Sequence, residues 1–295
     1  MRIRGGNYVF DPQRSYDVSS DVDRLSGITI HVGQDYVKEH GSFNVRLNVE
    51  TPNALYFTLN QLKKEVEECD LVYHLCPYTT EYLNKKYNTN KVKTIFLPIQ
   101  LYECEEKERN IPVIFTGHRA TDLDIYLPIE NEIKKRTSSF DHICKEISNG
   151  DGFYKKLNFL AQSKIAIVYS ILAKTNKVVS YNPDFDPEYK HIFPWHSSDI
   201  HVPQIKSRIF EGAMMGCVLL VYKDETCIHE KYFNENEDFV YFENAEDLSK
   251  KIDLILTNYD DYIPIAKRAQ KKMKEKYTLK GFIDTILKDK KELTN

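Results

Sequence analysis

The sequence predicts an α/β fold of two Rossmann-like domains, a short amino-terminal one and a larger carboxyl-terminal one. Its 295 residues are about twice the usual single-domain length. Short β-rich runs alternate with helical patterns, the signature of βαβ units on a mostly parallel sheet. Two such series are separated by Tyr102–Asn110, a polar stretch containing Glu-Glu-Lys-Glu-Arg with no apolar period, which reads as a linker. The expected division is therefore residues 1–105 and 106–295.

In the first series, strands are expected at Gly27–Val32 and Asn44–Val49, a helix from about Ala54 to Glu68, a strand at Leu71–Leu75, a helix at Thr79–Tyr87 and a strand at Val92–Leu97. The second series opens with Ile111–Thr116, an apolar run stopped by Gly117 as a strand that turns sharply would be. Helices at about Ile125–Arg136 and Lys155–Gln162 precede a strand at Ile165–Tyr169. A helix at Ile205–Met215 feeds the strand Val218–Tyr222; a short helix at Asp224–Tyr232 and a strand at Phe239–Phe242 follow. Leu248, Ile252 and Ile255 recur at helical spacing in Ala245–Thr257, and the chain closes helically from Tyr262 to about Lys291. Between Val178 and Gln204, Pro183, Pro187, Pro194 and Pro203 preclude a helix, and five aromatic residues point to an ordered loop that covers a site.

Composition narrows the function classes. The chain is 41% hydrophobic, 29% charged and 12% aromatic, which excludes a disordered or collagen-like chain. A net charge of −3 gives no global basic field for nucleic acid. No apolar run approaches the roughly 20 residues of a membrane-spanning helix, and the start Met-Arg-Ile-Arg-Gly-Gly lacks a signal-peptide core, so a cytoplasmic location is expected. Six scattered cysteines with no Cys-x-x-Cys pair read as free, mostly buried thiols. Ten Lys or Arg against four Asp or Glu in residues 262–295 could lean on an anionic membrane, although a solvated helical face explains them as well.

Chemistry concentrates in Gln204-Ile-Lys-Ser-Arg-Ile-Phe-Glu-Gly-Ala-Met-Met-Gly-Cys-Val-Leu-Leu-Val221. Lys206 and Arg208 stand at the start of the expected helix, and Glu211 shares a face with Arg208. A helix amino terminus with two added cations suits a diphosphate, and a carboxylate one turn in can take two adjacent ribose hydroxyls. Gly212 and Gly216 weaken the helix by about 1 kcal/mol each, a cost that close approach of a ligand or another backbone explains. The competing reading is an amphipathic helix with a surface Arg–Glu pair.

That run, then Phe233–Ile252 and Ala266–Tyr277, resembles the carboxyl-terminal domain of GT-B, group 1 glycosyltransferases, closest to their spore-maturation-protein-like branch. Val-Ile-Phe-Thr-Gly117-His-Arg resembles the strand and glycine turn that open the donor domain; Cys69–Leu75 and Thr94–Pro98 resemble the last strands of the acceptor domain. The resemblance implies two domains facing one another across a cleft, the first unusually short. It also implies a metal-independent transfer of a sugar from a nucleoside-diphosphate sugar to a hydroxyl of a glycan, glycoprotein or lipid-linked acceptor, with no further cofactor. Glu211 would hold the ribose, Lys206 and Arg208 the diphosphate, and Gly117, His118 and Arg119 would line the donor site. Many retaining members carry a second Glu eight residues before the ribose-binding one; here that position is Pro203, which leaves the stereochemical outcome open.

A general base is sought at a strand's carboxyl end, where open α/β sheets gather ligands. Glu50 is the candidate, with His31, Asp35, His74 and His118 as rivals. His191, His196, Asp199 and His201 lack the spacing of a zinc site, and Asp122-Leu-Asp124 reads as helix capping. Two other functions fit the same plan, a non-catalytic nucleotide- or glycan-binding relative and a nucleotide-sugar epimerase.

Overall fold

The computed structural model describes residues 2–4, 23–32, 38–48, 59–97, 107–116, 123–147, 152–174, 201–203 and 205–295. The chain divides into two units, Met1–Gln100 with Leu172–Ile205 and Tyr277–Asn295, and Leu101–Ile171 with Lys206–Lys276.

The first unit is built on a parallel sheet of β1 (Arg2–Arg4), β2 (Ile28–Val32), β3 (Phe43–Asn48), β4 (Leu71–His74) and β5 (Val92–Thr94), in that spatial order. The expected strands appear, and β1 adds an edge strand that the sequence reading did not anticipate. Helices α1 (Leu59–Glu68) and α2 (Pro77–Tyr87) follow β3 and β4, and Leu62, Val66, Tyr82 and Leu83 pack on Val72 and Val92. Every residue of β2 and β4 is buried, as a covered parallel sheet requires.

On β3 the alternation of side chains puts Val45 and Leu47 on one face and Asn44, Arg46 and Asn48 on the other, all buried. Arg46 and Asn48 meet partners on α1 and β4. Arg46 Nε lies 2.8 Å from Glu65 Oε1 on α1, and Asn48 Nδ2 donates to Glu65 Oε2 at 2.8 Å and to His74 Nε2 at 3.3 Å. Asn48 and His74 are register partners on adjacent parallel strands, which is why their side chains meet.

The carboxyl terminus departs from expectation. The single closing helix is two, α8 (Tyr259–Lys276) and α9 (Leu279–Thr294), because Thr278 adopts extended geometry and its side chain accepts from the amide of Gly281, capping a new helix. The expected domain 106–295 therefore loses its last helix to the first unit. Phe282, Ile283 and Ile286 are buried, Phe96 meets the rings of Tyr277 and Phe282 at 5.1 and 6.1 Å, and the Tyr73 hydroxyl donates to Asp289 Oδ2 at 2.7 Å.

The second unit carries a parallel sheet of β6 (Ile111–Phe115), β7 (Ser163–Val168), β10 (Val218–Tyr222) and β11 (Val240–Phe242), in the order β11-β10-β7-β6. A separate pair, β8 (Ile171–Lys174) and β9 (His201–Pro203), falls almost wholly in the segment Leu172–Ile205 assigned to the first unit. Around the sheet lie α3 (Leu123–Arg136), α4 (Phe140–Ile147), α5 (Gly152–Ala161), α6 (Ser207–Met214), α7 (Ala245–Thr257) and α8; α4 was not anticipated. Leu248, Ile252 and Ile255 of α7 join Ile129 and Ile133 of α3 in the core, as their spacing predicts. The expected helix Asp224–Tyr232 shrinks to a 3-10 turn at Ile228–Lys231. Its first residues are diverted because the Asp224 carboxylate accepts from the amides of Thr226 and Cys227 at 2.7 and 3.1 Å.

The two glycines that suggested a close approach are both explained by packing. A Cβ on Gly212 would sit 2.8 Å from Leu219 Cδ2 and 3.3 Å from Ala166 Cβ, so α6 rests directly on β10 and β7. Gly216 turns the chain at φ +69°, ending the helix. Arg109 Nη2 donates to the Met215 carbonyl at 2.7 Å and Gln270 Nε2 to the Met214 carbonyl at 2.8 Å, satisfying the exposed helix end. Arg109 also donates through Nη1 to the Ser163 carbonyl, so a residue of the expected linker ties α6 to the start of β7.

The described cysteines Cys69, Cys76, Cys144, Cys217 and Cys227 are free thiols, and no helix of the described residues is long and apolar enough to cross a membrane. Residues 175–200, with most of the proline-rich segment and with His191, His196 and Asp199, lie outside the described residues.

The Arg46–Glu65 pair is open to test. Glu65→Ala strands a buried guanidinium and is expected to destabilise the chain by about 3–5 kcal/mol in urea unfolding, whereas Arg46→Met with Glu65→Leu is expected to lose less than the single variant. A single-variant loss below about 1 kcal/mol would contradict a buried, mutually dependent pair.

Candidate active site

Open parallel sheets gather ligands beyond the carboxyl ends of their strands, and in the second unit those ends bring together residues far apart in the chain. Strand β6 ends at Phe115, β7 leads into Tyr169 and Ser170, β10 leads through Asp224 into the turn carrying His229, and α6 begins with Lys206 at its cap position. Three of the expected site residues, Lys206, Arg208 and Glu211, fall here. Lys206 is extended, at φ −107°, and makes no side-chain cap bond. The first amides of α6 are therefore not taken up by its cap residue.

Arg208 is half-buried, with its guanidinium carbon 4.5 Å from the centre of the Phe115 ring. Stacking holds the planar group by its face and leaves its edge donors unspent. Among the described residues the guanidinium makes no hydrogen bond or ion pair. Burial pushes it down to about 10, opposed by the nearby Glu211 carboxylate. It remains a cation at any physiological pH.

Glu211 does not pair with Arg208, although the two share a helix face. Its partner is Lys156 of α5, whose Nζ donates to Oε1 at 2.6 Å. Glu211 is only 2% exposed, and its Oε2 is buried with no hydrogen-bond partner. The site thus holds a buried carboxylate with one oxygen committed and one unspent, one turn along the helix from a guanidinium with all its donors unspent.

Sequence reasoning missed Lys156, since Lys155-Lys156 on an amphipathic helix reads as solvated surface. Lys155 does lie there, 3.0 Å from Glu146. His229 was also missed. It is fully buried, neither ring nitrogen has a hydrogen-bond partner, and burial, then the Arg208 cation, push it down to about 3. Ser170 Oγ and Asp224 Oδ2 are likewise buried without partners, and burial pushes the Asp224 carboxyl up. A strand ending just before each of Ser170 and Asp224 was the available signal.

Of the candidates in the first unit, His31 and His74 are buried within the sheet. His31 Nε2 donates to Asn44 Oδ1 at 3.0 Å, and His74 accepts from Asn48, so both serve the packing of β2, β3 and β4. Burial, then the Arg46 cation, push His74 down to about 3. Glu50, Asp35, Gly117, His118, Arg119 and Asp122 lie outside the described residues. No three His, Cys, Asp or Glu among the described residues are grouped to hold a metal ion.

Residues 190–288, which include Lys206, Arg208 and Glu211, match the model of a family described as Glycosyl transferase-like. No curated protein matches the sequence. Among solved structures the chain is similar to TarM of S. aureus (12% identity, TM-score 0.56, 91% of this chain and 54% of that one). It is also similar to HepE of Anabaena in complex with UDP-glucose (11%, 0.53, 84% and 71%) and to sucrose-phosphate synthase of Thermosynechococcus elongatus (9%, 0.55, 91% and 74%). These likenesses establish the GT-B type of fold with its two Rossmann-like units, as the sequence resemblance implies. The chain spans about half the length of the TarM chain.

The two neutral buried histidines give a pH dependence with a defined sign. Unfolded chains protonate histidine below the ordinary 6.5, while folded His74 and His229 stay neutral down to about 3. Between these limits the unfolded state binds more protons, so stability falls as pH falls, by about 1.4 kcal/mol per pH unit per histidine once the unfolded chain is protonated. The raised carboxyls of Glu65 and Asp224 act in the opposite direction. His74→Asn and His229→Asn, compared with the parent by urea unfolding at pH 7 and pH 5.5, are each expected to flatten the slope; an unchanged slope would mean that neither histidine is buried in its neutral form.

Proposed function

We propose that this chain is a glycosyltransferase that moves a sugar from a nucleoside-diphosphate sugar to a hydroxyl of a glycan, glycoprotein or lipid-linked acceptor, without a metal ion or further cofactor. The observation that carries the reading is the pairing of unspent groups at the start of α6, the Arg208 guanidinium stacked on Phe115 and Glu211 Oε2 one turn beyond. The family match over residues 190–288 and the GT-B fold support it, and neighbours on this fold have been crystallised with UDP and UDP-glucose.

In this reading Arg208 presents two parallel N–H groups to the diphosphate, Lys206 adds a second positive charge, and the first amides of α6 point at the same anion. Charge builds on the leaving diphosphate as its bond to the anomeric carbon breaks. Cations fixed in a partly desolvated site stabilise that charge more than they stabilise the intact donor, so they lower the barrier. Glu211 takes the ribose hydroxyls. Glu50 is proposed as the base that accepts the acceptor's proton, with Gly117, His118 and Arg119 lining the donor site. A cytoplasmic location, with the basic carboxyl-terminal helices resting on an anionic membrane, completes the proposal.

A thermal-shift series with UDP, GDP, CDP, TDP and their common sugars tests the donor site. At a hundred times its dissociation constant, the right nucleotide stabilises the folded chain by about 2.7 kcal/mol, raising Tm by roughly 5 °C or more. Arg208→Ala and Glu211→Ala are each expected to abolish the shift while keeping their own unfolding cooperative. Release of free nucleoside diphosphate with an acceptor separates a transferase from an epimerase and from a binding module. No shift with any of these nucleotides would sink the reading.

A further inference from the structure

The spacing of Arg208 and Glu211 on one helix face leads one to expect an ion pair between them, yet the structure holds them apart. Arg208 lies on the Phe115 ring, and Glu211 is met instead by Lys156, which reaches it from α5. We propose that Lys156 is the positioning residue for the ribose contact: by binding Oε1 alone it fixes the plane of the Glu211 carboxylate with Oε2 unspent, and leaves Arg208 unpaired for phosphate. The inference rests on the donor-site reading above.

Glu211 is 2% exposed, so the bond from Lys156 Nζ to Oε1 decides which oxygen stays available. A vicinal diol has two hydroxyls to place. One ammonium on one oxygen leaves acceptors for both. Oε1 retains a second lone pair beside its bond to Lys156, so the two ribose hydroxyls find an acceptor on each oxygen. If Arg208 supplied the charge instead, its donors would be consumed in neutralising Glu211, and the anion site would be spent within the empty protein.

Lys156 is itself held for this task. Its Nζ lies 5.1 Å from the centre of the Phe153 ring one turn earlier on α5, and its side chain is 17% exposed. The preceding residue, Lys155, is tied outward to Glu146, so the two adjacent lysines point to different partners. Glu211 is the ribose-contacting residue in this scheme and Lys156 acts through it.

The readout that separates positioning from mere stability is discrimination between ribose and deoxyribose. Calorimetric titration would use UDP, GDP, CDP and ADP, each beside its 2′-deoxy and 3′-deoxy form, on the full chain and on Lys156→Met, Lys156→Gln and Lys156→Arg. The best-binding diphosphate is expected to lose at least about tenfold in affinity when either hydroxyl is absent, because the Glu211 oxygen is then left unmatched. Lys156→Met is expected to bring that ratio to within about twofold of one, and Lys156→Arg to restore most of it. Lys156→Gln, polar but uncharged, carries the same expectation should the Met variant not fold. A Met or Gln variant with lowered Tm that keeps the parent ratio makes Lys156 a structural residue only and overturns the inference while leaving the donor site intact. Absence of binding by every diphosphate to the parent chain overturns the donor site and the inference together.

Discussion

Close contact between α6 and the sheet of the second unit is the constraint on which the site depends. At Gly212 the helix approaches β10 and β7 so closely that a single added carbon would meet Leu219 at 2.8 Å. A close-packed interior transmits position, so this contact fixes where both helix ends fall. At the carboxyl end, Gly216 takes φ +69° and Arg109 and Gln270 satisfy the last carbonyls. Toward the other end, the approach buries Ile209 and Phe210 and carries Arg208 onto Phe115 at the end of β6. A larger residue at position 212 would lift the helix and move Arg208 and Glu211 with it.

Charge is handled differently in the two units. In the first, Arg46, Glu65, Asn48 and His74 form a linked set in which both Glu65 oxygens are engaged. Such a network ties β3, β4 and α1 together. In the second unit the matching is deliberately incomplete in its effect: Glu211 is half engaged, and Arg208 is held by an aromatic face that uses none of its hydrogen bonds. His229, Ser170 and Asp224 add further unpartnered buried atoms beyond the strand ends. Unmatched buried polar groups cost free energy, and these lie beyond the carboxyl ends of the strands, where open parallel sheets gather ligands.

Much of the architecture was legible because it is local. The β10 strand Val218–Tyr222 and the α7 helix Ala245–Thr257 fall where apolar runs and helical spacing put them, and Asn244 caps α7 by accepting from the Asp247 amide. Boundaries failed where a side chain competed with the backbone. Thr278 split an expected single helix, and Asp224 delayed another by taking the amides that would have started it. The sequence reading assigned Arg109 to a linker because nothing local distinguishes a charged residue in a polar stretch from one that reaches the carbonyls of Ser163 and Met215.

Taken alone, the sequence determined the α/β class, the alternation of strands and helices, and the identity of α6 as the chemically loaded helix, since each follows from hydrophobic period and from the residue types within one or two turns. Tertiary structure decided which charges pair. Whether Glu211 meets Arg208 three residues away or Lys156 fifty-five residues away depends on where α5 lies against α6 and on the ring of Phe115, which offers Arg208 a competing partner. The same holds for α9, whose apolar face is legible from its spacing while the unit that buries it is not. Periodicity states that a face must be covered; only the folded packing supplies what covers it.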